Sequence, residues 1–244
     1  MLSDRFRIRG CVRDLKSKQE MGPLRRYFGE RLATVQIVSC DLSNKLSMDK
    51  VVEGSTYVIH IASPVPGPNV RYEEEVINPA VSGAMYILEA AQKYKVKRVV
   101  MTSSICACSE FKNSTVPKVI DDSYWSDMGS PNMSAYTKSK LLSEEAAWNF
   151  VNTIPTRGPY HRVELVTLLP GFVVGRCITS GKNTSTSIIK QFMQGKFECI
   201  PMQQVSICDV EDVAIAHLRA CTVEKAGGHR ISLSAKSIWI SEIA

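Results

Sequence analysis

Short stretches rich in Val and Ile alternate along this chain with longer amphipathic ones. The runs near 6–12, 35–39, 57–62, 97–103 and 163–169 have the length and β-branched content of strands covered on both faces. The stretches near 44–53, 73–93, 134–152, 184–194 and 210–223 read as helices. Strand and helix follow one another in βαβ order, which argues for a doubly wound α/β fold around a parallel sheet. Past about residue 176 the apolar pattern breaks up. The run Thr179-Ser-Gly-Lys-Asn-Thr-Ser-Thr-Ser187 reads as loop, and Trp239-Ile-Ser-Glu-Ile-Ala244 as the start of a further helix. No internal repeat or low-complexity segment interrupts the pattern.

Composition narrows the class. A chain of 244 residues can build one good core, or one domain and part of a second. Hydrophobic content of 44% and charged content of 22% are ordinary for a soluble globular protein. The net charge of +6 comes from basic residues scattered along the chain, so it reads as solvated surface rather than a nucleic-acid footprint. Such a bias can still draw in an anionic cofactor. Eight cysteines form no regular framework, and several lie in apolar runs, as expected of buried thiols in a reducing compartment. Cys106-Ala-Cys108 lacks a second ligand pair, so no metal site is expected. No run of 18 apolar residues occurs and the N-terminus is no signal peptide, which makes a cytoplasmic protein without a membrane span the expectation.

The chemistry concentrates at Tyr136-Thr-Lys-Ser-Lys140. On a helix, positions four apart share a face, with Cβ atoms about 5–6 Å apart. A lysine there stabilises a phenolate and lowers a tyrosine pKa from about 10, giving a general acid or base. Upstream, Arg98-Val-Val-Met-Thr-Ser-Ser104 reads as a buried strand running into two hydroxyls. Only one of Ser103 and Ser104 can face a ligand, and Ser104 is preferred. Downstream, Val163-Glu-Leu-Val-Thr-Leu-Leu169 reads as a strand that turns at Pro170-Gly171.

These pieces, together with Cys11-Val-Arg-Asp14, Cys40-Asp-Leu42, Val58-Ile-His-Ile-Ala-Ser-Pro64, Tyr124-Trp-Ser-Asp-Met128 and Leu169-Pro-Gly-Phe-Val-Val-Gly175, stand in a familiar order. The chain resembles the extended short-chain dehydrogenase/reductase family (the NAD-dependent epimerase/dehydratase superfamily). Within it, the dihydroflavonol-reductase and 3β-hydroxysteroid-dehydrogenase-like branch is the nearest in pattern. The resemblance implies a Rossmann-like nucleotide-binding domain over 1–175 and a partial substrate-binding lobe with returning Rossmann elements over 176–244.

It also implies roles. Tyr136 would donate a proton to a substrate carbonyl, Lys140 would hold the nicotinamide ribose, and Ser104 would orient the carbonyl oxygen. Arg13 stands where relatives discriminate the ribose 2′ position. An arginine there accepts a 2′-phosphate, so NADP is expected rather than NAD, with Lys18 as a second cation. Asp41 and Leu42 would meet the adenine. Ile61, Ala62 and Ser63 would let backbone approach the cofactor, and Pro170, Gly171, Phe172 and Val173 would line the nicotinamide. His60 is expected to be a packed strand residue, and the acids of 121–127 carry no catalytic role.

A Rossmann domain opens with a strand and a Gly-x-x-Gly-x-x-Gly turn, and none precedes Arg5. The first segment matches the family's second strand. The segments near 6–12 and 57–62 are therefore expected either to close up on one another or to leave a gap in the sheet. By resemblance the chain is an NADP-dependent reductase of a ketone or aldehyde on a medium-sized apolar molecule, or an oxidant of the alcohol, working as a monomer or homodimer. Two alternatives stand beside it: an inactive truncated isoform or cofactor-sensing regulator without the phosphate loop, and a nucleotide-sugar epimerase or dehydratase.

Overall fold

The computed structural model describes residues 6–64, 70–112, 116–131, 133–155, 161–178 and 184–243. In chain order the elements are β1 (Ile8–Val12), α1 (Lys18–Phe28), β2 (Val35–Ser39), α2 (Lys45–Val52), β3 (Tyr57–His60), α3 (Glu74–Lys93), β4 (Arg98–Thr102), α4 (Ala135–Thr153) and β5 (Glu164–Pro170). There follow β6 (Phe172–Val174), α5 (Thr184–Met193), β7 (Gln204–Asp209), α6 (Val210–Thr222), β8 (Arg230–Leu233) and β9 (Lys236–Trp239). Polar side chains start the helices by accepting orphan amides: Ser17 from Glu20, Asn44 from Ser47, Ser134 from Thr137 and Asp209 from Glu211.

The main sheet is parallel, in the order β3-β4-β5-β8. Its strands alternate between two cores, as a period of two requires. Val99, Met101 and Leu165 face α3 and α4, where they join Leu88, Ala91 and Ala147. Val100, Val166 and Leu168 face α6, against Ala220 and Cys221. Arg98 is buried in this second layer at 1% exposure. Its guanidinium is satisfied by Glu164 (2.7 Å) and by the carbonyls of Ala220 (2.7 Å) and Val223 (2.6 Å), which ties β4 to the C-terminus of α6. A buried charge is tolerated only when compensated in this way.

Strands β1 and β2 pair in parallel but form a separate two-stranded sheet. No ladder joins β1 to β3, so of the two expected outcomes the interrupted sheet is the one found. Rings of Phe6 and Tyr57 meet edge-on at 6.4 Å across the interval. Ile59 remains 42% exposed on β3 and Ile61 62% exposed beyond it. A third sheet pairs β6 with β7 in parallel and β7 with β9 antiparallel.

Three sequence expectations need correction. Lys18–Phe28 is helical although no helix was expected there. Residues 236–239 form a strand and Ile240–Glu242 a single 3-10 turn, in place of a new helix. Of the loop expected at 179–187, residues 179–183 lie outside the described residues and 184–187 belong to α5.

Candidate active site

Strand β4 ends at Thr102, and the next two residues point in opposite directions, as extended backbone demands. Ser103 turns inward and donates to the Glu144 carboxylate at 2.6 Å. Ser104 is extended (φ −160°, ψ 154°) and caps the short turn Ile105–Ala107, accepting from Cys106 N at 3.2 Å. Its hydroxyl also lies close enough to the Tyr136 phenol to favour the ionised form. Of the two hydroxyls, that of Ser103 is taken by Glu144.

Tyr136 and Lys140 lie one turn apart at the start of α4. The ammonium stands 5.9 Å from the phenol ring centre and donates to Thr102 O at 3.2 Å. Lys140 is 5% exposed, and burial lowers its pKa to about 8 against weaker opposing influences from Cys106 and Glu144. The Tyr136 pKa is raised, first by burial and then by Cys106, with the Ser104 hydroxyl opposing. This departs from the expectation that Lys140 lowers it. Loss of water around the phenol prevails. His60, ending β3, is a buried residue whose pKa is lowered to about 4, by burial first and the Lys140 charge second. It is therefore neutral near pH 7.

The other expected site residues follow the carboxyl ends of their strands, where ligands of open α/β sheets sit. Arg13 follows β1 with its side chain 76% exposed, its Nε 3.2 Å from Glu20. Lys18 opens α1 and is exposed. Asp41 follows β2. The hydrogen bonds to its carboxylate, from Ser43 N (2.8 Å) and Ser43 Oγ (2.5 Å), fall on Oδ1, and they lead the causes that hold its pKa low, with the Arg13 charge adding to them. Leu42 packs so closely on α3 that a Cβ at Gly83 would collide with it. Ile61 and Ala62 are exposed and Ser63 half-buried past β3. Pro170 is buried at the end of β5, and Phe172 and Val173 are half-buried in β6. Between them, Gly171 lies so near the Ser206 carbonyl that a side chain there would meet it.

Sequence reasoning did not single out Glu144, Thr167 or Arg230. Glu144 is 0% exposed, and it accepts from Thr167 Oγ1 at 2.6 Å and from Arg230 Nε at 2.8 Å, besides Ser103. Nothing local distinguishes Glu144 from its neighbour Glu145, and Arg230 lies 86 residues away. Among the described residues no cluster of three or more His, Cys, Asp or Glu could hold a metal ion. No described helix is long and apolar enough to cross a membrane. Cys108, Cys208 and Cys221 are buried, but Cys11, Cys177 and Cys199 are exposed, against the expectation of buried thiols.

Residues 12–234 match the model of the NAD dependent epimerase/dehydratase family. An anthocyanidin reductase of Vitis vinifera is 29% identical over 97% of this chain and 72% of its own length. Cinnamoyl-CoA reductase 2 of Arabidopsis thaliana is 32% identical over 95% of this chain and 66% of its own. Among solved structures, the yeast methylglyoxal/isovaleraldehyde reductase Gre2 complexed with NADPH superposes with a TM-score of 0.83 at 26% identity, covering 99% of this chain and 74% of that one. Vestitone reductase from alfalfa (Medicago sativa) gives 0.78 at 28% identity, covering 99% and 73%.

Proposed function

The chain belongs to the NAD dependent epimerase/dehydratase family, and from that premise we propose that it is an NADP-dependent oxidoreductase reducing a ketone or aldehyde on a medium-sized apolar molecule, or oxidising the alcohol. The observation that carries this reading is the buried Lys140 ammonium 5.9 Å from the Tyr136 ring centre, one helical turn away, with the Ser104 hydroxyl acting on the same phenol. Relatives support the chemistry: anthocyanidin and cinnamoyl-CoA reductases by sequence, and an NADPH-bound aldehyde reductase by structure.

The residues present fit the two ends of such a cofactor. Lys140 has one hydrogen-bond partner among the described residues, a main-chain carbonyl, which leaves ammonium donors for ribose hydroxyls. Arg13 engages Glu20 through Nε, and its exposed fork suits a 2′-phosphate. Asp41 and Leu42 would take the adenine, Ile61 to Ser63 the chain's close approach to the cofactor, and Pro170 to Val173 the nicotinamide side. Bound, the cofactor supplies or accepts hydride. Ser104 then orients the carbonyl oxygen, and Tyr136, its proton retained by burial, donates it to that oxygen as charge develops. Residues 1–175 would carry the nucleotide and 176–244 part of the substrate lobe.

A cofactor-sensing protein that binds NADPH without turnover is the reading to be excluded. One experiment separates the two. NADPH oxidation is followed with a panel of aldehydes and ketones for the parent and for Tyr136→Phe, and NADPH binding is measured for both. The reductase reading expects parental turnover, a loss of about 10²-fold or more in the variant, and unchanged binding. Binding without turnover in the parent favours the sensor, and near-parental turnover in Tyr136→Phe removes Tyr136 from the mechanism.

A further inference from the structure

Glu144 on α4 and Arg230 on β8 take no part in the chemistry above, yet they meet in the interior behind it. The carboxylate is fully buried and the arginine side chain 10% exposed. The carboxylate gathers Ser103 after β4, Thr167 on β5 and Arg230 on β8, and, more weakly, the Trp148 indole of its own helix at 3.4 Å. The far side of the guanidinium serves another purpose. Its Nη1 donates to the carbonyls of Asp122 (2.7 Å) and Tyr124 (2.5 Å), and its plane stacks 3.5 Å over the Trp125 ring. The loop 121–127 has no regular ladder of its own, so these contacts hold its backbone in place.

The next residue carries the linkage on. Ser126 is 6% exposed and donates through Oγ to Cys106 O at 2.7 Å, accepts from Glu110 N at 3.0 Å, and donates through its own N to Ala107 O at 2.9 Å. Cys106 and Ala107 belong to the turn that Ser104 caps. A continuous path therefore runs from Glu144 through Arg230 and the loop to the hydroxyl that meets Tyr136.

We propose that Arg230, braced by Glu144, is a positioning residue that sets the 121–127 loop against the turn after β4, and so places Ser104 and the substrate against Tyr136. The proposal rests on the reductase reading for its consequence, but not for its mechanics. Lysine cannot replace this arginine. It would keep the charge against Glu144 but could not also reach two carbonyls and stack on an indole.

Two variants test it. Arg230→Lys preserves the buried charge pair, and Trp125→Leu removes the stacking without touching the interior. For Arg230→Lys we expect kcat to fall about 10²-fold, the scale of a small misplacement of reacting groups, with the NADPH dissociation constant within about twofold of the parent. Trp125→Leu should lose less, in the same direction. In both, amide exchange of residues 105–107 should accelerate together with that of 122–127. A merely structural role would lower the melting temperature and weaken NADPH along with kcat. Parental kcat in both variants, or a fast loop beside an unchanged 105–107 turn, overturns the proposal. Should the parent itself turn over no carbonyl, the reductase reading fails, and the exchange experiment still decides the coupling. Should Arg230→Lys misfold, the Trp125→Leu arm decides it.

Discussion

An ammonium buried to 5% exposure against one main-chain carbonyl is held at the expense of stability. Burial moves the Lys140 pKa from 10.5 to about 8, so the folded state binds that proton more weakly than the unfolded one. Below pH 8 both states are protonated and the whole penalty stands, about 3 kcal/mol at about 1.4 kcal/mol per pH unit. It is relieved as pH rises from about 8 towards 10.5, where the folded state has released its proton and the unfolded state has not. Lys140→Met should therefore melt above the parent at pH 7, and the difference should shrink by pH 10. Thermal midpoints at both values check this, and a difference independent of pH would show that the ammonium remains hydrated. The same variant should lose turnover, the usual opposition of stability and function at such sites. At the position proposed for the 2′-phosphate, Arg13→Glu would set a carboxylate beside Glu20 and Asp41. With a charged hydrogen bond worth about 1.5–3 kcal/mol, the ratio of kcat/KM with NADPH to that with NADH should fall by roughly 10-fold or more. An unchanged ratio would assign the discrimination to another cation such as Lys18.

At the scale of elements, the close passage of Gly171 under Ser206 fixes how β5 hands over to β6. The obstructing atom is a carbonyl of β7, which is laddered to β6 and β9 and has nowhere to retreat. Gly171→Ala should cost about 1–3 kcal/mol by overpacking and shift Phe172 and Val173, read as a lower urea midpoint with an unaltered slope. The strands that such packing serves were legible in the sequence where burial is complete. Arg98-Val-Val-Met-Thr102 and Glu164 to Pro170 are rich in Val, Leu and Met because helices cover both faces. The strands β6 to β9 escaped notice because they are short and only partly buried, with Ser, Gln and Lys among them. Helix α1 was hidden by Gly22 and Pro23 in its middle, which local reasoning counts as breakers. At the site, the spacing of Tyr136 and Lys140 was readable from helix periodicity. The direction of the tyrosine pKa was not, because it depends on burial by distant segments. The Glu144–Arg230 contact is likewise invisible to any local window.

The whole molecule is built of parts with unequal grip. No residue of β1 or β2 is fully buried, whereas four of five in β4 and six of seven in β5 are. The β1–β2 pair is held to the rest by contacts such as Arg9 to the carbonyls of Val51 (2.7 Å) and Glu53 (2.8 Å), not by a ladder to β3. Amides of β1, β2 and the open edge of β3 should exchange orders of magnitude faster than those of β4 and β5, which are bonded on both sides. Uniform protection across all five strands would refute this. Arg13 and Asp41 ride on the looser part, while Ser104, Tyr136 and Lys140 stand on the firmer one. A dinucleotide reaching from one to the other would then work as a staple. By mass action, NADPH at about a hundred times its Kd would add about 2.7 kcal/mol to whatever opening disrupts its site. That increment would fall almost wholly on the β1–β2 pair, so saturation with cofactor should merge two unfolding steps into one.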